Sequence, residues 1–211
     1  MTHYDAAASG LTFPEGPRWR DGKLWFSDFY SRAVYTLDAG GTIEKIVEVP
    51  GQPSGLGFMP NGDLLISSMR DQKVLRFANG ALSLHADLSA LVRYHGNDMI
   101  VLSNGRAYVG NFGFDPNSEE PRTTTLVKIE PDGSAGIVAE DMAFPNGMAT
   151  LDDERVLIVA ESVAQHLTAF DMHLWAVAVG GGATWLCASD HYLEAETVAK
   201  RTGRILRLRR P

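Results

Sequence analysis

The chain has almost no sulfur chemistry, no long apolar run and no excess of basic charge. Cys187 is its single cysteine, so no intramolecular disulfide can form. That suits a reducing compartment. The run Thr184-Trp185-Leu186-Cys187-Ala188 makes this thiol a buried structural one rather than a nucleophile. No stretch approaches the length of a membrane span. Met1-Thr2-His3-Tyr4-Asp5 has neither a basic start nor an apolar run, so no secretory leader is expected and the expected location is cytoplasmic. A net charge of -7 argues against nucleic-acid binding, which wants a basic patch. The one basic cluster, Arg201, Arg204, Arg207, Arg209 and Arg210, reads as a solvated strand face and tail. There is no Gly-x-Ser-x-Gly elbow, no His-Glu-x-x-His, no phosphate loop and no dinucleotide fingerprint. The six histidines show no metal-ligand spacing. Ser189-Asp190-His191 reads as a polar loop, because adjacent residues rarely reach triad geometry.

What the 211 residues do contain is a phrase written four times. Phe13-Pro14-Glu15-Gly16-Pro17-Arg18-Trp19 precedes Asp21-Gly22-Lys23-Leu24-Trp25-Phe26-Ser27-Asp28. Pro53-Ser54-Gly55-Leu56-Gly57-Phe58 precedes Asn61-Gly62-Asp63-Leu64-Leu65-Ile66-Ser67. Gly96-Asn97-Asp98-Met99-Ile100-Val101 precedes Asn104-Gly105-Arg106-Ala107-Tyr108-Val109. Phe144-Pro145-Asn146-Gly147-Met148-Ala149 precedes Asp153-Glu154-Arg155-Val156-Leu157-Ile158-Val159. A repeat of roughly 40 to 50 residues built from short strands and turns reads as an all-β propeller, one blade per repeat. The composition, 45% hydrophobic and 21% charged, is that of a globular domain, and a single domain over 1–211 is expected.

Within each repeat the order is a polar or small triplet, a short strand, a turn and a more apolar strand. Asn61-Gly62, Asn79-Gly80, Asn104-Gly105 and Asp132-Gly133 are hairpin signals, because both residue types tolerate positive φ. Third strands are expected at Ala33–Leu37, Lys73–Phe77, Thr125–Ile129 and Gln165–Phe170. Outer strands are expected at Ile43–Val47 and Gly136–Ala139. The third repeat carries a polar, proline-flanked insertion from Phe114 to Arg122, a candidate lid. Around Phe170-Asp171-Met172-His173-Leu174-Trp175 one blade's third strand runs straight into the start of another, so the fourth blade lacks its outer strand. A strand pair, a short helix over Glu194–Lys200 and a closing strand at Arg204–Leu208 complete the reading, which represents four to five blades.

The repeats keep their scaffold while one polar position varies: Glu15, Ser54, Asn97 and Asn146. In a propeller the innermost strands line a central channel, so these positions converge from successive blades. A carboxylate with amide oxygens is a hard-oxygen set that suits Ca²⁺, Mg²⁺ or Mn²⁺ and tolerates Zn²⁺. The plainer alternative is that Glu15 caps a turn and the asparagines hold turn conformations.

At Pro14-Glu15-Gly16-Pro17-Arg18-Trp19, Asn97-Asp98, Phe144-Pro145-Asn146-Gly147 and the ending Leu186-Cys187-Ala188-Ser189 … Thr202-Gly203-Arg204-Ile205, the chain resembles the family of senescence marker protein, gluconolactonases and luciferin-regenerating enzyme. The resemblance covers nearly the whole length. It implies a six-bladed propeller with one divalent metal in the axial channel and hydrolysis of small lactones or esters. By motif, Glu15 and Asn146 match the family's metal ligands, and Asn97 matches the asparagine beside the metal that holds substrate or water. His95 stands where some relatives carry a substrate-binding arginine, a departure that weakens the sugar-acid preference. Glu119 or Glu120 in the insertion is a further candidate polar contact.

The larger departure concerns the base. The family's third ligand and general base is an aspartate in a Pro-Asp-Gly phrase opening the fifth blade, and no such phrase follows Asn146. Pro131-Asp132-Gly133 lies instead in the third blade's outer hairpin. Relative to the family, about one and a half blades are missing near His173-Leu174. The gap reads either as a segment left out of a longer chain or as a true deletion. The first restores a metal-dependent lactonase, and the second gives weak or no activity, with an oligomer possible if the propeller is open. The competing function is a non-catalytic binding module with an incomplete metal site, using a rim of Phe112, Phe114 and residues 115–122.

Overall fold

The computed structural model describes residues 6–172 in full and residues 174–180, 183–188 and 204–208 as backbone strands. Every element among them is a β-strand. The first sheet runs β1 (Pro14–Arg20), β2 (Lys23–Asp28), β3 (Ala33–Asp38) and β4 (Ile43–Glu48) in simple meander order. The second repeats this with β5 (Pro53–Phe58), β6 (Leu64–Ser68), β7 (Lys73–Ala78) and β8 (Ala81–Asp87). The third does so with β9 (Gly96–Val101), β10 (Ala107–Asn111), β11 (Thr124–Ile129) and β12 (Ala135–Met142). A three-stranded sheet follows, β13 (Pro145–Leu151), β14 (Val156–Glu161) and β15 (His166–Asp171). The last is β16 (Leu174–Gly180), β17 (Ala183–Ala188) and β18 (Arg204–Leu208).

The strands expected from sequence are present within one to three residues at each end, the largest difference being β12, which runs on to Met142 rather than ending at Ala139. The fourth sheet lacks an outer strand, and β16 starts three residues after β15 ends. The expected helix over Glu194–Lys200, the surroundings of the Cys187 thiol and the arginine-rich tail lie outside the described residues. The chain divides into two compact units, Met1–Ala149 with Val159–Thr168, and Thr150–Ile158 with Ala169–Pro211. The first unit contains the first three sheets and the candidate residues; the second contains the sheet of β16, β17 and β18.

In the first unit the blades touch through their innermost strands, with β5 packed against both β1 and β9. Val34, Val49, Leu56, Leu64 and Ile66 form the core between the first two blades, and Trp25 and Phe58 meet edge to face at 5.2 Å beside it. Met59, Leu65, Val74, Met99, Val109 and Val127 belong to the core between the second and third. In the second blade burial falls outward: β5 and β6 are almost wholly buried, whereas β8 is exposed or half-buried apart from Ala86. This gradient is what sheets packed face to face around their inner edges must show.

Close backbone packing explains the small residues of the repeated triplet. A Cβ on Gly55 would stand 2.7 Å from the carbonyl carbon of Asp98 and 2.8 Å from its Cα. Of the four Asn-Gly and Asp-Gly signals, only Asn79-Gly80 places both residues at positive φ, 51° and 78°. It is a two-residue hairpin between β7 and β8, where the primed turn is required. In the other three, longer loops need positive φ only at Gly62, Gly105 and Gly133. There the Asn or Asp side chain instead accepts a backbone N–H two residues on, as Asn61 does from Asp63 at 3.2 Å.

Candidate functional site

The polar triplet positions sit where the inner strands leave regular register. Pairing of β1 with β2 shifts between Glu15 and Arg18, and that of β5 with β6 between Pro53 and Leu56. Pairing of β10 with β9 shifts between Val109 and Asn111, opposite Asn97 and Asp98. A bulge leaves a residue unpaired and re-aims its side chain, which is how a buried strand can present a polar group. At the first bulge Gly16 has φ 56°, and a Cβ there would stand 2.6 Å from the Ser54 carbonyl oxygen. Glycine is therefore required after Glu15 on two counts.

Glu15 is half-buried, and burial raises its carboxyl pKa, with the Asp98 charge adding to the rise. The Gly16 N–H, 3.4 Å from Glu15 Oε2, opposes the rise. Asn97 is 4% exposed and donates from Nδ2 to the Pro145 carbonyl at 3.0 Å, which ties β9 to the start of β13. Asn146 follows that carbonyl directly and donates from Nδ2 to Ser162 Oγ at 3.2 Å. In both asparagines the amide nitrogen donates to protein, and the amide oxygen is an acceptor able to ligate a cation. Ser54 is fully buried and its Oγ has no protein partner, an arrangement that is costly without some other oxygen-seeking group nearby.

The structure thus connects Glu15, Asn97 and Asn146 through adjoining residues at one end of the inner strands. It also supplies a connection that the motifs did not suggest. Arg18 of β1 reaches Asp98 of β9, Nη2 to Oδ1 at 3.1 Å, and donates to the Met99 carbonyl. Asp98 also accepts the Met99 N–H at 2.8 Å. Burial still holds the Asp98 pKa above the usual carboxylate range, against the pull of Arg18. Among the described residues, no three His, Cys, Asp or Glu side chains cluster as metal ligands. The oxygen set is amide-rich, with Glu15 as its anion.

His95 does not stand with the amides as a charged contact. Its ring stacks on Tyr94 at 3.9 Å and meets Phe112 at 5.8 Å. Burial lowers its pKa and the Arg70 charge lowers it further, against Asp115, so the imidazole is neutral near pH 7. Phe112 lies 4.4 Å from Phe144, and the Phe112 N–H donates to the His95 carbonyl at 3.0 Å. Phe144 holds φ 63°, an unusual conformation for a bulky residue, immediately before Pro145 and Asn146. Within the insertion Glu119 pairs with Arg93 at 2.7 Å and accepts the Asp115 N–H at 3.1 Å. Glu119 is thereby committed to the loop.

Blades of antiparallel meander, joined by their inner strands, define a β-propeller-type fold. The chain belongs to the SMP-30/gluconolactonase/LRE-like family, whose model matches residues 13–194. Among solved structures it resembles a gluconolactonase from Xanthomonas campestris at 22% identity and TM-score 0.64, over 85% of this chain and 71% of that one. It resembles a calcium-binding regucalcin from Agrobacterium tumefaciens at 18% identity and TM-score 0.66, over 86% of this chain and 69% of that one. A luciferin-regenerating enzyme matches at 13% identity and TM-score 0.65, over 94% and 73%. At these identities the likeness establishes the lactonase-type propeller fold, here with an incomplete set of blades. No curated protein matches by sequence. No helix among the described residues is long and apolar enough to cross a membrane.

Proposed function

We propose that this chain is a gluconolactonase-like hydrolase of small lactones whose Glu15 and Asn146 would hold one divalent cation, with Asn97 facing the substrate. The observation that carries this reading is the close backbone packing that runs from Gly16, next to Glu15, across Ser54-Gly55 to Asp98, and the Asn97 hydrogen bond from there to the Pro145 carbonyl beside Asn146. The donors fit a hard cation: the Glu15 carboxylate and the Asn146 amide oxygen are both hard-oxygen ligands, with water for the remaining positions. A regucalcin relative described as calcium-binding supports the same class of ion. When bound, such an ion supplies Lewis acidity to a carbonyl and lowers the pKa of water.

The chain's own residues then do three things. Asn97, clamped on the Pro145 carbonyl, presents a fixed amide to the substrate oxygen. Glu15 would supply the negative charge in a half-buried setting, where burial and the Asp98 charge raise its pKa. Arg18 holds Asp98, so Asp98 is not released to act as a base. On this reading the family's aspartate belongs to a segment absent near residue 173, and turnover is slow.

The test is lactone hydrolysis followed by pH-stat, with and without a chelator. A slow rate that a chelator abolishes and calcium or zinc restores is expected. A rate indifferent to chelator refutes the metal-dependent reading. The absence of any rate, with no metal retained, favours the binding module instead, which the Arg18–Asp98 pair also supports.

A further inference from the structure

The aromatic group beside the amides has no place in the reading above. Tyr94 and His95 immediately precede Gly96-Asn97, and Phe144 immediately precedes Pro145-Asn146. Phe112 follows the end of β10, and its N–H is bonded to the His95 carbonyl at 3.0 Å. The four rings form one continuous surface: Tyr94 on His95 at 3.9 Å, His95 on Phe112 at 5.8 Å, Phe112 on Phe144 at 4.4 Å. All four are half-buried, and Phe114, 4% exposed, backs Phe144 at 6.0 Å. Residues that contribute a ring and stop half-way to solvent offer one face for a ligand.

Of the polar side chains that border this surface, Asn111, Asp115 and Glu119 are already committed, and Arg70, whose charge acts on Tyr94 and His95, is the exception. Asn111 donates to the Thr125 carbonyl at 2.7 Å and accepts the Thr124 hydroxyl at 2.5 Å. Asp115 accepts from Asn117 and from Ser118 at 2.9 Å. Glu119 is paired with Arg93. A polyhydroxylated ring needs several free donors and acceptors to replace the water it loses, and a flat apolar ring needs none.

We infer that Tyr94, His95, Phe112 and Phe144 form an aromatic wall that selects lactones carrying a fused or attached aryl group over lactones of sugar acids. This deepens the proposed function and rests on it only for the word lactone. The amides Asn97 and Asn146 would take the polar carbonyl end, while the wall takes the aryl group by offset or edge-on stacking. Ring contacts of this kind, added to the apolar area they cover, correspond to about tenfold in affinity.

The test uses stable lactams, so that binding is read apart from turnover. Dissociation constants for 3,4-dihydro-2-quinolinone, an aryl lactam, and for gluconolactam are measured by saturation-transfer NMR on the full chain, with and without calcium. The aryl lactam is expected to bind at least about tenfold tighter. Phe112→Leu, with the same urea midpoint as the parent, is expected to lose most of that margin. Equal or tighter gluconolactam binding, binding of neither lactam, or an unchanged margin in the variant overturns the inference. An aryl preference that persists in protein retaining no metal leaves the wall standing and sinks the metal reading alone.

Discussion

Gly55→Ala tests whether the blades meet backbone to backbone. Gly55 is buried in β5, and the added methyl would lie against the Met99 N, 2.7 Å from the Asp98 carbonyl carbon and 2.8 Å from the Asp98 Cα. All three are backbone atoms, so no rotamer change relieves the overlap. β5 and β9 must move apart by roughly an ångström to reach ordinary contact, which loosens the core around Met99. Overpacking of this kind costs about 1–3 kcal/mol. With a urea dependence near 2 kcal/mol per molar, a loss of about 2 kcal/mol lowers the midpoint by about 1 M. The control is Gly147→Ala, where a Cβ meets nothing within 4 Å and φ is not positive. It should be neutral or stabilising by up to about 1 kcal/mol. Gly55→Ala with the parent's midpoint would refute the packing described between β5 and β9.

Three further outcomes follow from the charged groups. Arg18→Met strands the Asp98 carboxylate, 7% exposed, and should cost about 2–4 kcal/mol in a urea melt, more than Asp98→Asn does. Burial opposes ionisation of Glu161, but the Thr168 hydroxyl, the Ala143 N–H at 2.5 Å and His166 at 3.0 Å outweigh it and lower its pKa. A lowered folded pKa means stability that is present above the ordinary glutamate range and lost as pH falls through the folded value, so Glu161→Gln should flatten the acid limb of stability against pH. Glu15 and Asp98 act with the opposite sign, since their raised folded values favour the protonated form. Removing either carboxylate by the amide substitution should steepen the net loss of stability in acid.

The fold was largely legible because each blade repeats its turn and strand signals locally. The outer strand β8 escaped the sequence reading: Ala81–Asp87 is short and half-exposed, with no apolar run to mark it. Glu15, Asn97 and Asn146 were visible as a varying position in a constant phrase. The bulges at Glu15 and Asn97 were not, since a register shift depends on the partner strand. Ser54 looked equivalent to the other three, yet its hydroxyl is sealed in the interior. The Arg18–Asp98 pair joins residues 80 apart in sequence, a distance over which no local pattern carries information. The aromatic wall did leave a trace, because an aromatic or histidine stands just before the inner-strand triplet in three of the four repeats: Phe13, His95 and Phe144. Only the packing shows that His95 and Phe144 are bridged by Phe112 from a different strand end.

The most direct test of the central claim is the metal content of the chain after equilibrium dialysis against calcium, read by elemental analysis for the parent and for Glu15→Gln. The account predicts about one divalent ion per parent chain and almost none in the variant. Equal content in the two proteins, or none in the parent, would contradict it.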